Sequence, residues 1–356
     1  MASSGPPTRS SRLGTPNVNT DCTTSRNGCL QVRNGARVNI CRITMRRRRH
    51  LISLTALFLI ASAGGVLIAR GSQTPRTPFR TAIDLVSLNV TVTDTMGRHI
   101  SGLSADDFVV FEDGRPQQLS YFASLSTPLS VSLLIDTSSS MEQQLPVAQQ
   151  AAIDFVSRLR PGDLAAVVDF DSRVEVRQPF TSDKQALESA IRDLRAGGAT
   201  ALYNAVYIAL RQLATVKAET ESTIRRNVVV VLSDGEDTSS LVTFDQLLDL
   251  ARRSQTAIYP ISLTADSPVS DRTNQAATFA LRQLAQETGG RLLAAKRADE
   301  LTGVYSQITA ELTSQYALGY ISSNPRRDGG WRKLAVRIQR PNLIPRTRTG
   351  YYSPTS

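Results

Sequence analysis

Residues 129–140 read LSVSLLIDTSSS: an apolar strand over Leu129–Asp136 that runs directly into one threonine and three serines. The segment after it changes period. Ala148, Ala152 and Val156 fall on one row and Ala151, Phe155 and Leu159 on the next, which predicts an amphipathic helix over 146–159. Strand and helix then alternate. Strands are expected at 164–170, 228–232, 257–263 and 291–295, with 174–180 as a hairpin partner of the first. Helices are expected at 184–194, 201–213, 244–253, 276–288 and 300–312. The run Val228-Val229-Val230-Val231-Leu232 has no polar alternation, as befits a central parallel strand buried on both faces. This succession specifies an α/β fold, a doubly wound (Rossmann-like), mainly parallel sheet. Pro260 cannot donate to a ladder, which puts its strand near an edge.

On either side the pattern turns to β. Leu85, Leu88, Val90 and Val92 are interleaved with polar residues, Phe108–Phe111 is a second strand ending at the Glu112-Asp113-Gly114 turn, and Leu119–Phe122 is a third. After residue 313, strands are expected at 316–321, 333–338 and 347–352. Neither set has enough strands to bury a core alone. Closure of the two into one sheet or sandwich is the expectation, giving a β-rich accessory module built from segments before and after the α/β unit. The domain reading is 80–128 for the first β segment, 129–311 for the α/β domain and 312–356 for the last β segment.

The front of the chain is of another kind. Net charge is +10, but residues 1–50 hold ten arginines against one acid, Asp21, so the remainder is nearly neutral. A nucleic-acid footprint needs basic residues clustered on the folded surface, and nucleic acid is not an expected partner. Met45 precedes Arg46-Arg47-Arg48-Arg49-His50 and the apolar run 51–69, the pattern of a secretory signal or signal-anchor. Residues 1–44 read as an upstream extension ahead of a true start at Met45, 45–70 as signal peptide or membrane anchor, and 71–79 as a polar linker. Ala61-Ser62-Ala63 would serve as a cleavage site, and an uncut 51–69 is near the length that spans a hydrocarbon core. Export follows in either case: anchored in the inner membrane and facing the periplasm, or released if the signal is cut. Cys22, Cys29 and Cys41 all precede Met45, which leaves the exported part without a disulfide or a thiol site.

Three pieces carry the chemistry. Asp136-Thr137-Ser138-Ser139-Ser140 ends the first apolar strand, Gly197-Gly198-Ala199-Thr200 opens a helix, and Ser233-Asp234-Gly235 ends the valine run. In a doubly wound sheet, loops at the carboxyl ends of adjacent strands gather in one crevice. Two carboxylates with several hydroxyls, and neither thiol nor imidazole, make a hard oxygen site suited to Mg²⁺, Mn²⁺ or Ca²⁺. Alternation along an extended loop would turn Asp136, Ser138 and Ser140 to one side. Taken singly, each piece has an ordinary alternative: a serine turn, a flexible loop with Thr200 as helix cap, an Asp-Gly turn. Glu236 and Asp237 read as solvated loop acids, Asp171 as a turn residue, Trp331 as an anchor of the last β segment, and Tyr320, Tyr351 and Tyr352 as sheet fillers.

Together the three pieces resemble the metal ion-dependent adhesion site of von Willebrand factor type A domains, across about 129–311. That resemblance implies Asp136, Ser138, Ser140, Thr200 and Asp234 as metal residues, Mg²⁺ as the first choice of ion, and a coordination position left open for an acidic side chain of a protein partner. The flanking segments are similar to those around such domains in exported acidobacterial proteins. The function so implied is metal-dependent protein binding at the cell envelope, not enzyme activity. Two other readings stand beside it. One is a metal-dependent hydrolase, although His50 and His99 are the only histidines and neither falls in the α/β unit. The other is a scaffold in which the metal is incidental.

Overall fold

A computed structural model describes residues 85–124, 127–216, 225–234, 237–263 and 272–355. Contacts divide the chain between Arg76 and Thr77, and every described residue lies in the second unit. The expected upstream extension, signal segment and linker therefore lie outside the described residues. Among the described residues, no helix is long and apolar enough to cross a membrane.

The central sheet has six strands in the order β10-β9-β8-β5-β6-β7: β5 (Leu129–Asp136), β6 (Leu164–Phe170), β7 (Val174–Thr181), β8 (Arg226–Ser233), β9 (Ala257–Leu263) and β10 (Leu293–Ala295). All pairs are parallel except the β6–β7 hairpin. Strand order reverses between β5 and β8, which makes the crevice above their carboxyl ends the natural binding place. Every residue of β5 is buried. Its apolar side chains serve both faces of the sheet. Val131, Leu133 and Ile135 pack under α1 (Leu145–Ser157), α2 (Lys184–Arg192) and α6 (Leu301–Ser314), while Leu134 faces α3 (Leu202–Leu213), α4 (Phe244–Ser254) and α5 (Arg272–Thr288). Pro260 sits in the penultimate strand, and the three-residue neighbour β10 begins pairing only at Ile261, so no β10 residue lies opposite it.

The two β segments do close on each other. One sheet is β13-β1-β11-β4 and the second β14-β12-β2-β3, formed by β1 (Leu85–Asp94), β2 (Phe108–Glu112), β3 (Arg115–Gln117), β4 (Leu119–Ser124), β11 (Tyr316–Ile321), β12 (Trp331–Ile338), β13 (Leu343–Arg346) and β14 (Gly350–Tyr352). Strands from before and after the α/β unit pair directly: β1 with β11, and β2 with β12. Val86, Leu88 and Val90 meet Phe108, Val110, Leu318 and Leu334 in a core of their own. Tyr320 and Tyr351 do more than fill this sheet. Both hydroxyls donate to the buried Glu112 carboxylate, at 2.6 and 2.8 Å, and Arg332 pairs with it at 3.1 Å. Trp331 fastens the sandwich to α4, edge-on to Tyr352 at 5.0 Å and under the Arg252 guanidinium at 5.3 Å.

Candidate metal centre

The site begins with a serine in the wrong place for a core strand. Ser233 ends the buried valine run of β8, and its hydroxyl donates to Asp136 Oδ2 at 2.6 Å across the β5–β8 junction. Asp136 is fully buried. Its other oxygen, Oδ1, accepts the Ser138 amide at 2.9 Å. From there a chain of hydroxyls crosses to the second carboxylate: Ser138 Oγ and Ser140 Oγ lie 3.0 Å apart, and Ser140 Oγ donates to Asp234 Oδ1 at 3.0 Å. Four of the five expected residues are thus joined by hydrogen bonds in one cluster.

The loop is not extended throughout. Ser138 is extended at φ −59°, ψ 163°, but Ser139–Met141 closes a single 3-10 turn. Ser140 therefore reaches the cluster from a turn and not by strand-like alternation, which corrects the geometric reason for the D-x-S-x-S spacing. The turn is held from the side by the glycine loop. Ser139 donates to the Gly198 carbonyl through both its amide (3.1 Å) and its hydroxyl (3.0 Å), and the Gly197 amide donates to the Thr137 carbonyl at 2.7 Å.

Thr200 belongs to the same group of loops through its backbone. Its amide donates to Thr238 Oγ1 at 3.0 Å, and its carbonyl accepts the amides of Thr238 (2.8 Å) and Ser239 (3.1 Å). Among the described residues, no hydrogen bond links the Thr200 side chain to the other four. Nor does Thr200 cap α3. That cap comes from the loop after β8: Asp237 Oδ1 accepts the Tyr203 amide at 3.0 Å, and Ser240 Oγ accepts the Asn204 amide at 2.9 Å. Asp237 is therefore a structural cap and not the solvated loop acid expected from its position, while Glu236 lies outside the described residues. Asp171 is a turn residue as expected, accepting the Arg173 amide at 2.7 Å, and its backbone carbonyl holds the Ala201 amide.

The electrostatics follow from burial. Loss of water raises the Asp136 carboxyl to about 6; hydrogen bonds from Ser138 and Ser233 oppose the rise, and the neighbouring Asp234 charge adds to it. Burial raises Asp234 as well, against the hydrogen bond from Ser140. Both carboxylates are held by neutral donors, so ionising both leaves negative charge that the cluster itself does not balance. A small divalent cation fits such a donor set: carboxylate and hydroxyl oxygens, no nitrogen or sulfur. Among the described residues no three acidic, histidine or cysteine side chains are grouped so as to hold a metal ion by themselves; in this donor set two serine hydroxyls stand beside the two carboxylates. Ser233 is the residue that sequence reasoning passed over. A signal could have found it: a lone hydroxyl closing the buried aliphatic run of residues 228–232.

Residues 131–236 match the model of the von Willebrand factor type A domain. A UPF0353 protein of Nocardia farcinica is 26% identical over 248 residues, which cover 60% of this chain and 70% of that protein. A UPF0353 protein of Mycobacterium tuberculosis is 26% identical over 234 residues, covering 58% and 65%. Among solved structures, a von Willebrand factor type A protein from Catenulispora acidiphila has a TM-score of 0.45 at 14% identity, over 70% of this chain and 74% of that one. The vWF domain of the type V pili tip protein Mfa5 from Porphyromonas gingivalis has a TM-score of 0.43 at 16% identity, over 53% and 96%. Residues 131–236, which hold the Asp136 loop at the strand-order reversal, are thus matched as a von Willebrand factor type A domain, and the six-stranded α/β body around them has a fold of that type.

Proposed function

We propose that this domain is a divalent-metal-dependent protein-binding module, displayed outside the cytoplasm, in which an acidic side chain of the partner completes the coordination of the ion. The observation that carries the reading is the pair of neutral-donor carboxylates, the buried Asp136 and the half-buried Asp234, linked through two serine hydroxyls. Mg²⁺ is the first choice, with Mn²⁺ or Ca²⁺ accepted by the same oxygens. Asp136, Ser138, Ser140 and Asp234 would hold the ion, with Thr200 at the rim. When bound, the ion supplies the positive charge that attracts an anionic oxygen. The chain's own groups do the rest: Ser233 and the Ser138 amide fix the Asp136 carboxylate, and the glycine loop fixes Ser139 and so the turn that carries Ser140. Asp237 is committed to capping α3, and the His99 imidazole sits by Glu311, Arg291 and Arg346 and not among the residues of the Asp136 cluster, which weighs against either as the base of the hydrolase reading. Export rests on the basic and apolar pattern of residues 45–70.

Calorimetric titration of the full chain with Mg²⁺ and Mn²⁺ tests the metal. Wild type takes up one ion, and Asp136→Ala takes up none. Capture from envelope extracts, run with metal and with chelator, then tests the partner: a protein retained only with metal, and lost with Asp136→Ala, fits the proposal. Turnover of a hydrolysable substrate by the metal-loaded chain would instead favour the enzyme reading.

A further inference from the structure

The three sheets have six edge strands among the described residues, and one of them lacks the usual protection. An open edge presents unpaired N–H and C=O groups to any other strand, so native edges carry charge, proline, irregular register or very short length. β7 has Glu175, Arg177, Pro179 and two register shifts, β13 has Pro345 and Arg346, and β3 has Arg115 and Pro116. β10 and β14 are three residues each. β4 is different. Its six residues, Leu119-Ser120-Tyr121-Phe122-Ala123-Ser124, include neither a charge nor a proline. Its single register shift lies at the start, against Gly319 and Tyr320, and leaves Tyr121–Ser124 in regular order along β11. Among the described residues, β4 pairs with β11 alone, and no other backbone hydrogen bond reaches it.

The side chains of β4 suit a copy of themselves. Leu318 and Tyr320 fill the sandwich core, so Ala317 and Gly319 lie on the outer face of the sheet, and so do their direct partners Ala123 and Tyr121. Tyr121 is 45% exposed. Beside it, the half-buried Ala123 and Ala317 form a low shelf of methyl groups. On the inner face Phe122 is half-buried at the edge of the core, with its ring 5.7 Å from that of Phe108 and 6.0 Å from that of Tyr316.

A twofold axis normal to the sheet and passing beside Phe122 would pair two β4 strands antiparallel. Phe122 then faces its own image, and Tyr121 faces Ala123 of the other copy. Each tyrosine lies on the other's alanine shelf, and the two cores meet at the phenylalanines. A charge near such an axis would meet its own like at close range, which destabilises a sheet. β4 has none. An unrelated extended peptide requires no such match of large and small residues within β4 itself.

We propose that β4 is a self-association edge, at which a second copy of this chain pairs antiparallel and joins two four-stranded sheets into one continuous sheet. Six residues a side is a small contact beside the roughly 20–30 of a stable complex, so the dimer is a weak one that forms in the micromolar range. β4 precedes the start of β5 at Leu129, whereas the candidate metal cluster gathers at its end, Asp136. Pairing therefore leaves that cluster open in both copies, and it stands whether or not an ion is held there.

Sedimentation equilibrium of the full chain, in detergent and with reductant, tests this across the micromolar range. Wild type should show a reversible monomer–dimer equilibrium. Tyr121→Lys takes the ring off the shelf and Ala123→Glu puts a charge on it, and each should weaken the dimer at least tenfold. With both substitutions in one chain, the new cation of each copy lies opposite the new anion of the other, so the dimer should return toward its wild-type strength. That recovery also excludes misfolding as the cause of the single-variant losses, and Trp331, the single tryptophan, reports by its fluorescence whether the sandwich is intact. A wild type that stays monomeric throughout overturns the proposal and leaves the edge to an extended segment of another protein. A dimer of equal strength in wild type and both single variants puts the contact elsewhere, such as the apolar run 51–69, and overturns it as well. So does loss in both single variants without recovery in the double one, because the register through Phe122 is part of the proposal.

Discussion

Asp136 shows how much one buried carboxylate decides. Its folded value, about 6, stands above its ordinary value of 3.8. A group whose folded pKa is raised keeps its proton longer in the native state than in the unfolded one. The metal-free protein therefore loses stability as pH rises from about 4 to about 6, by about 3 kcal/mol if the whole shift is realised. A bound dication reverses the sign, because it needs the ionised form. The Mg²⁺-induced increase in Tm should accordingly be large above pH ~7 and shrink toward zero below pH ~5. Melts with Mg²⁺ and with chelator across that range measure it, and an increment independent of pH would show that Asp136 does not hold the ion. The residues of this cluster were legible from the sequence because Asp136 and Asp234 stand at the ends of apolar strands and the serines follow Asp136 at once. Ser233 was harder to see, since its contribution is to Asp136 and not to the motif.

At the scale of elements, the long apolar strands declared themselves. Leu129–Asp136, Leu164–Phe170, Ala257–Leu263 and Tyr316–Ile321 begin and end where the side-chain pattern puts them. Short strands did not: Arg115–Gln117 and Leu343–Arg346 are strands by virtue of their partners β2 and β1, and three or four residues carry too little periodicity to be read alone. The same limit applies to the two glycines of the second loop, which the sequence cannot rank. Gly198 has φ +78°, and a Cβ there would come within 2.6 Å of Ser172 Oγ and 2.9 Å of Asp171 Oδ2, whereas a Cβ on Gly197 would meet nothing within 4 Å. Gly198→Ala should cost about 1–3 kcal/mol and, by shifting the carbonyl that holds Ser139, weaken metal uptake. Gly197→Ala should change stability by under about 1 kcal/mol. Denaturant unfolding of the two variants decides this; equal losses would mean that the Gly198 backbone relaxes freely.

For the whole molecule, the question is what makes an α/β domain and a β-sandwich one folding unit, and the answer centres on a charge that composition hides. Glu311 lies in the last turn of α6, where a helical pattern suggests an exposed acid, yet it is fully buried. Its oxygens take the Tyr259 hydroxyl of β9 at 2.7 Å, the Arg291 guanidinium at 3.1 Å, the Arg346 guanidinium of β13 and, at 3.4 Å, the Thr91 hydroxyl of β1. Two of these partners come from the α/β side and two from the sandwich. Thr91 is 220 positions away in sequence, and no local pattern connects it with Glu311. Removing the carboxylate leaves two guanidinium groups facing a site with no counter-charge, a change that costs about 3–5 kcal/mol for a buried pair. Glu311→Gln keeps acceptor and donor capacity but loses the charge, so it should fall between wild type and Glu311→Ala. Because the lost contacts are the ones that cross between the layers, the penalty should appear as lost cooperativity as well as a lower midpoint. Calorimetry of the wild type should then give equal calorimetric and van't Hoff enthalpies for the described unit. Glu311→Ala should give a calorimetric enthalpy that exceeds the van't Hoff value, as the sandwich and the α/β domain begin to melt apart. A single, equally sharp transition in the variant, with a stability loss under about 1 kcal/mol, would mean that apolar packing between the layers, and not this ionic junction, joins the two.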